Sequence, residues 1–260
     1  MGEDRSFQGA QSRSEVKHAC SGKVEAGFPL NMRPEEKALP KFQFYGRRKG
    51  KPLRRNHSEL MDQLLPKLAV DLAKPLDGAG PRVWLEIGFG GGEHLAHQAS
   101  LNPDVTVIGA EAFLNGVAKL LADVDARAIF NVKIHYGDAR ALLEALPESS
   151  IERLYLLYPD PWPKERQKKR RFVNAENLAH ISRVLKPSGQ FWFASDIDDY
   201  VLWTREHVAD SKLFIEEGDS TQPFENWTQT RYEAKARREG RGSAYLRYKT
   251  SRPEADAAGK

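Results

Sequence analysis

The feature that most limits the fold is a rhythm of short apolar runs and longer amphipathic stretches. Runs at 83–87, 106–110, 132–136, 151–157 and 190–194 read as strands. Stretches at 93–100, 114–126, 139–146, 172–185 and 198–208 carry apolar residues at helical spacing. Strands separated by helices make βαβ units with right-handed crossovers, so the strands run parallel and the loops at their C-terminal ends share one edge. A helix before the first strand is expected from Ser58 as its cap, on Leu60, Met61, Leu64, Leu65, Leu68 and Leu72, with Pro66 as a kink. Segment 214–217 is expected as a sixth strand. The alternating Ala244-Tyr245-Leu246-Arg247-Tyr248 reads as a seventh, and it has no helix before it that could pack back, so it should pair antiparallel at the edge. The expected class is α/β: a mostly parallel seven-stranded sheet with an antiparallel edge strand and helices on both faces.

The flanks divide the chain further. Residues 1–40 show no periodic apolar face and are expected to be a disordered extension. Residues 41–57 form a basic arm: between Ala38 and Ser58 there is no acid, while Lys41, Arg47, Arg48, Lys49, Lys51, Arg54 and Arg55 stand among Phe42, Phe44 and Tyr45. Such interleaving suits either a solvated linker or a grip on phosphate and base. The main domain is expected over 58–250 and a flexible tail over 251–260. Net charge is +4 and the single cysteine is Cys20. One thiol supports neither an internal disulfide nor a zinc site, and the histidines show no ligand spacing, so no metal is inferred. No run has the length of a membrane span. A cytoplasmic protein without an obligatory protein partner is expected, with an anionic ligand favoured by charge.

The first strand runs into Glu86-Ile87-Gly88-Phe89-Gly90-Gly91-Gly92. Glycines there let the chain turn tightly and let a ligand approach the following helix. Dinucleotide sites use glycine or alanine where this chain has Glu93, and a carboxylate would oppose a pyrophosphate. The pattern suits a ligand without phosphates and with a cationic amino-acid end, as in S-adenosylmethionine (AdoMet), which Glu86 could attract. Glu111, ending the second strand, could accept both ribose hydroxyls. Asp138, ending the third, could bond the adenine amine or cap the next helix.

The fourth strand runs into Tyr158-Pro159-Asp160-Pro161-Trp162-Pro163-Lys164. Each proline disfavours helical geometry in the residue before it, so Asp160 and Trp162 should be extended. Trp162 either stacks on a base or packs beneath the loop. Six cations follow within 164–171: Lys164, Arg166, Lys168, Lys169, Arg170 and Arg171. A carboxylate and an aromatic beside such a run suit a base on a polyanion.

These residues resemble the bacterial tRNA (guanine-N7-)-methyltransferase family, of the Rossmann-like class I methyltransferases. The likeness rests on Glu86 to Gly92, Glu111-Ala112, Gly137-Asp138-Ala139, Pro159-Asp160-Pro161-Trp162-Pro163-Lys164, Ser195-Asp196 and Thr230-Arg231-Tyr232-Glu233. It spans roughly 44–249. It implies AdoMet as cofactor, held by Glu86, Gly88, Gly90, Gly92, Glu111, Asp138 and Asp160. It implies Asp160 as the catalytic residue, and Lys164, Asp196, Thr230, Arg231, Tyr232 and Glu233 as contacts to the guanine nucleotide. The substrate implied is tRNA, methylated at a variable-loop guanine. Arg47, Arg48, Arg166, Lys168, Lys169, Arg170 and Arg171 are candidate RNA contacts. The family usually carries histidines after the proline run, where this chain has Glu165 and Gln167 among its cations. Two other readings are a methyltransferase for an exocyclic base amine, whose Pro-Pro-aromatic loop this chain lacks, and an inactive RNA-binding relative.

Overall fold

A computed structural model describes residues 42–253. The extension 1–40, with Cys20, lies outside the described residues, as do Lys41 and positions 254–260.

Among the described residues seven strands form one sheet: β1 (Val83–Ile87), β2 (Thr106–Glu111), β3 (Val132–Tyr136), β4 (Ile151–Leu157), β5 (Leu185–Ser195), β6 (Phe214–Ser220) and β7 (Ala244–Thr250). Their order across the sheet is β3-β2-β1-β4-β5-β7-β6. The first five are parallel, and β7 runs antiparallel to both β5 and β6. The antiparallel pairing is as expected, but β7 lies one place in from the edge and β6 forms the margin. Strand order reverses between β1 and β4, which opens a crevice beyond their C-terminal ends.

The helices are α1 (Arg55–Gln63), α2 (Leu65–Leu68), α3 (Glu93–Leu101), α4 (Leu114–Ala126), α5 (Ala139–Ala145), α6 (Ala175–Val184), α7 (Asp198–Ser211) and α8 (Arg231–Arg238). Each sheet face is covered because the strand residues alternate. Trp84, Val107 and Tyr155 join Leu95, Val117 and Leu121 of α3 and α4 in one core. Leu85, Ile108 and Leu154 join Leu142, Leu178 and Ile181 of α5 and α6 in the other. Each fully buried aliphatic side chain contributes about 1.5–3 kcal/mol.

Four local expectations are corrected. Ser58 caps nothing: α1 begins at Arg55, and Pro66 sits in the first turn of the separate α2, where its missing N–H costs no helical bond. Phe172 lies outside α6, because the Asn174 side chain accepts the Asn177 amide and starts the helix there. Lys186–Gly189 bulge within β5 rather than precede it, since the β4 register jumps from Ile151↔Leu185 to Arg153↔Gln190. The stretch after Phe224 contains α8, whose N-cap Thr230 accepts the Glu233 amide at 3.1 Å. At the other end, Arg252 of the expected tail donates to the Ser182 and Arg183 carbonyls at 3.1 and 2.9 Å.

The arm is irregular up to Arg54, where α1 takes over its last three residues, and it is docked on α4. Gly50 N donates to Asn115 Oδ1 at 2.7 Å, Asn115 Nδ2 donates to the Lys51 carbonyl at 2.7 Å, and Leu114 N donates to the Arg48 carbonyl at 2.9 Å.

Candidate active site

The glycine loop leaves β1 with Gly88, Gly90 and Gly92 at φ 70°, 57° and 78°. Gly92 is the N-cap of α3, and a Cβ there would lie 2.6 Å from the Leu120 side chain. Glycine is therefore required at that position for both backbone and packing. At Gly88 a Cβ would meet nothing within 4 Å, so the loop faces open space on that side.

That space is a cavity of about 530 Å³, with Gly88, Gly90, Glu111, Asp138, Asp160 and Tyr232 in its wall. Glu111 joins two elements: Oε2 accepts the Gly90 amide and Oε1 the Phe113 amide, each at 2.8 Å. Burial pushes its carboxyl above the usual range. The amides oppose that shift, and the Asp160 charge adds to it. Asp138 does two things at once. Its Oδ1 accepts the Arg140 amide at 3.0 Å, capping α5, and its carboxylate pairs with the Arg140 guanidinium at 2.6 Å. Glu86 is not in the cavity wall. It is 3% exposed and accepts from His94 Nδ1 at 2.7 Å, one layer below the loop.

The proline loop closes the opposite side. Tyr158 N donates to the Ala194 carbonyl at 2.7 Å, which fixes the loop's start to β5. Asp160 reaches solvent at the cleft mouth, yet loss of hydration raises its carboxyl above the ordinary value. Trp162 is not extended: its φ is 41°, a sparsely populated conformation for an aromatic residue. It is half-buried, edge-on to Tyr45 of the arm at 6.2 Å, with the Arg170 guanidinium 5.0 Å over its ring and 4.4 Å over that of Tyr45. Packing against the arm and Arg170 thus overrides the local preference for an extended chain.

Several candidates sit elsewhere than expected. Arg171 is 1% exposed and cannot present its charge to a polyanion. It donates through Nε to the Pro161 carbonyl at 2.9 Å, pairs with Asp199, and lies over the Tyr200 and Trp203 rings. Arg170 is held between rings, and Lys168 is paired with Glu165 and Asp199 at 2.9 and 3.0 Å. Lys164, Arg166 and Lys169 are exposed. Arg47 lies in the cavity wall, whereas the Arg48 guanidinium covers the Phe44 ring at 5.1 Å.

Of the Thr230–Glu233 group, only Arg231 and Tyr232 line the cleft. Thr230 is buried as a cap. Glu233 is 1% exposed, accepting from Trp227 Nε1 and Arg237 at 2.6 Å each. The Thr-x-x-Glu spacing marks a helix start, a signal that was legible in the sequence. Asp196 directly follows β5 but pairs with Arg241 at 2.7 Å, and no side chain caps α7. Tyr45 and Arg140, both in the cavity wall, were not singled out as site residues. Tyr45 carries only the general signal of aromatics among the arm's cations, and Arg140, in the first turn of α5, carries none; the docking of the arm brings Tyr45 to the cleft beside it.

The sequence matches the family described as "Putative methyltransferase" over residues 81–246. A curated tRNA (guanine-N(7)-)-methyltransferase of Rhizobium meliloti (strain 1021) is 50% identical over 218 residues, covering 79% of this chain and 94% of the relative. One of Agrobacterium fabrum is 51% identical over 219 residues, with the same coverage. Among solved structures, the 16S rRNA (adenine(1408)-N(1))-methyltransferase from Catenulisporales acidiphilia superposes with a TM-score of 0.50 at 16% identity, covering 72% of this chain and 92% of that one. That likeness concerns the fold alone.

Proposed function

The chain belongs to the tRNA (guanine-N(7)-)-methyltransferase family, and from that premise we propose that its cleft carries a methyl group from AdoMet to N7 of a guanine in tRNA. The observation that supports this reading most is the convergence of Glu111 and Asp160 on one cleft at the sheet's switch point, one from the cofactor side and one from the proline loop. No helix among the described residues is long and apolar enough to cross a membrane, and we place the enzyme where tRNA is, in the cytoplasm.

The cleft suits AdoMet. Open space beside Gly88 admits a ligand against the loop. Each Glu111 oxygen already accepts one amide and keeps a second lone pair for a ribose hydroxyl. Asp138 stands in the wall; its Oδ1 already accepts the Arg140 amide and Nε, while Oδ2 accepts one Arg140 N–H and keeps a lone pair for an adenine amine. Glu93 in place of a glycine disfavours a pyrophosphate. When bound, AdoMet supplies an electrophilic methyl carbon on a sulfonium.

Guanine N7 carries a lone pair and no proton, so no residue has to act as a base before attack. The protein's task is to hold the ring in line, and such positioning can contribute up to ~7–11 kcal/mol. Asp160, when ionised, accepts from the N1–H and N2–H edge of guanine and opposes the positive charge that grows on the purine. Arg231 and Tyr232 face the base from across the glycine loop. Thr230 and Glu233 act by placing them, and Asp196 acts through Arg241. Lys164, Arg166, Lys169 and Arg47 form the cationic rim that meets tRNA phosphates.

The test incubates the protein with labelled AdoMet and unmodified tRNA, then applies borohydride and aniline. Chain scission at a single guanine is expected. Labelled tRNA without scission would overturn the target atom, and unlabelled tRNA beside an active control would overturn the reading.

A further inference from the structure

Beneath the glycine loop lies a buried carboxylate–imidazole pair that the reaction above does not use. Glu86 and His94 are 3% and 2% exposed, and Glu86 Oε2 accepts from His94 Nδ1 at 2.7 Å. A carboxylate only accepts, so Nδ1 carries the hydrogen. His94 belongs to the first turn of α3, directly after the loop. Its ring stands edge-on to Tyr155 at 4.7 Å and tilted against Trp227 at 4.9 Å.

Trp227 continues the chain of contacts. Its indole N–H donates to Glu233 Oε2 at 2.6 Å. One turn along α3, Gln98 Nε2 donates to the Asn226 carbonyl at 2.9 Å. At the surface, Arg231 Nε meets Glu93 Oε1 at 3.2 Å. α3 therefore holds the segment 226–233 at three points. Arg231 and Tyr232, which this segment delivers to the cleft, sit against Gly91 and Gly90 of the loop.

We propose that His94 and Trp227 are positioning residues for the tRNA substrate, tying the helix that carries Arg231 and Tyr232 to the helix that follows the glycine loop. The inference rests on the methyl-transfer reading above. Two features make the tie specific. The segment has no regular structure before Thr230, so its placement depends on side-chain anchors. The Trp227 N–H reaches a carboxylate that is 1% exposed, so removing that donor leaves a buried acceptor short of one partner.

The experiment compares Trp227→Phe, which keeps an aromatic ring and removes the N–H, with His94→Asn, which keeps a donor toward Glu86 and removes the ring. Amide hydrogen exchange over 228–234 should quicken by about tenfold in both, which needs no turnover to observe. The kcat/KM for tRNA should fall about tenfold, a loss of about 1.4 kcal/mol. AdoMet affinity by calorimetry should stay within about twofold. The double variant should lose no more than the worse single one, as expected for residues in one chain of contacts.

Unchanged exchange in Trp227→Phe, or additive losses, overturns the proposal. So does an equal loss of AdoMet affinity, which would mark a merely structural role. Quickened exchange in the variants of a protein that methylates no tRNA would instead overturn the functional reading and leave the tie in place.

Discussion

Arg171 donates through Nε to the Pro161 carbonyl at 2.9 Å, so the last cation of the basic run holds the proline loop from inside the protein. Its guanidinium also bonds the Asp199 backbone carbonyl at 3.2 Å. Replacing it with alanine removes every one of these bonds. Arg171→Ala should cost about 2–4 kcal/mol, because buried acceptors lose a charged donor while Asp199 remains half exposed. The urea midpoint measures this. A variant that keeps its midpoint and only weakens tRNA binding would show the residue to be a phosphate contact after all.

Asp160 is predicted to act on turnover rather than on folding. It reaches solvent at the cleft mouth, and no hydrogen bond of the proline loop depends on its carboxylate. Asp160→Asn should lower kcat by about a hundredfold or more, as for loss of one charge-stabilising group, with thermal unfolding unchanged. A kcat within threefold or so of the parent would remove Asp160 from the reaction.

The same cleft should make stability depend on pH in a particular direction. Burial raises Glu111 above its ordinary 4.5. An acid with a raised folded pKa favours the fold below its unfolded pKa, and that contribution is lost as pH rises through the folded pKa. Glu111→Gln cannot titrate. The melting temperature of the variant minus that of the parent should therefore grow as pH rises above the ordinary 4.5. A flat or shrinking difference would show that the amides of Gly90 and Phe113 outweigh burial.

Two glycines with similar φ, 70° at Gly88 and 78° at Gly92, should respond differently to alanine. Gly88→Ala meets no atom and should cost only the left-handed backbone, about 1–2 kcal/mol. Gly92→Ala also drives a methyl against Leu120 at 2.6 Å and should cost about 2–4 kcal/mol. Chemical denaturation of both variants checks the order, and equal losses would mean that the Leu120 side chain moves aside freely.

Thr230 separates a cap from a contact. Thr230→Ser keeps the hydroxyl that accepts the Glu233 amide, whereas Thr230→Ala loses it at about 1 kcal/mol. The serine variant should retain both stability and tRNA turnover. A serine variant that folds normally but fails with tRNA would make the threonine itself a substrate contact.

The amino-acid sequence by itself determined the alternating strands and helices, the glycine turn after β1, and the placing of Glu111, Asp138 and Asp160 at strand ends. Periodicity, glycine and proline act within a few residues, so those features need no knowledge of the fold. Tertiary structure alone decided which charges are free. Arg171 and Lys164 belong to one basic run, yet one is buried beneath the proline loop and the other stands in solvent. Glu86 is the penultimate residue of β1 and Glu111 the last of β2, but Glu86 meets His94 inside while Glu111 faces the cleft. The left-handed Trp162 and the arm's approach through Tyr45 follow the same logic: partners far apart in the chain compete with local preference, and long-range packing wins.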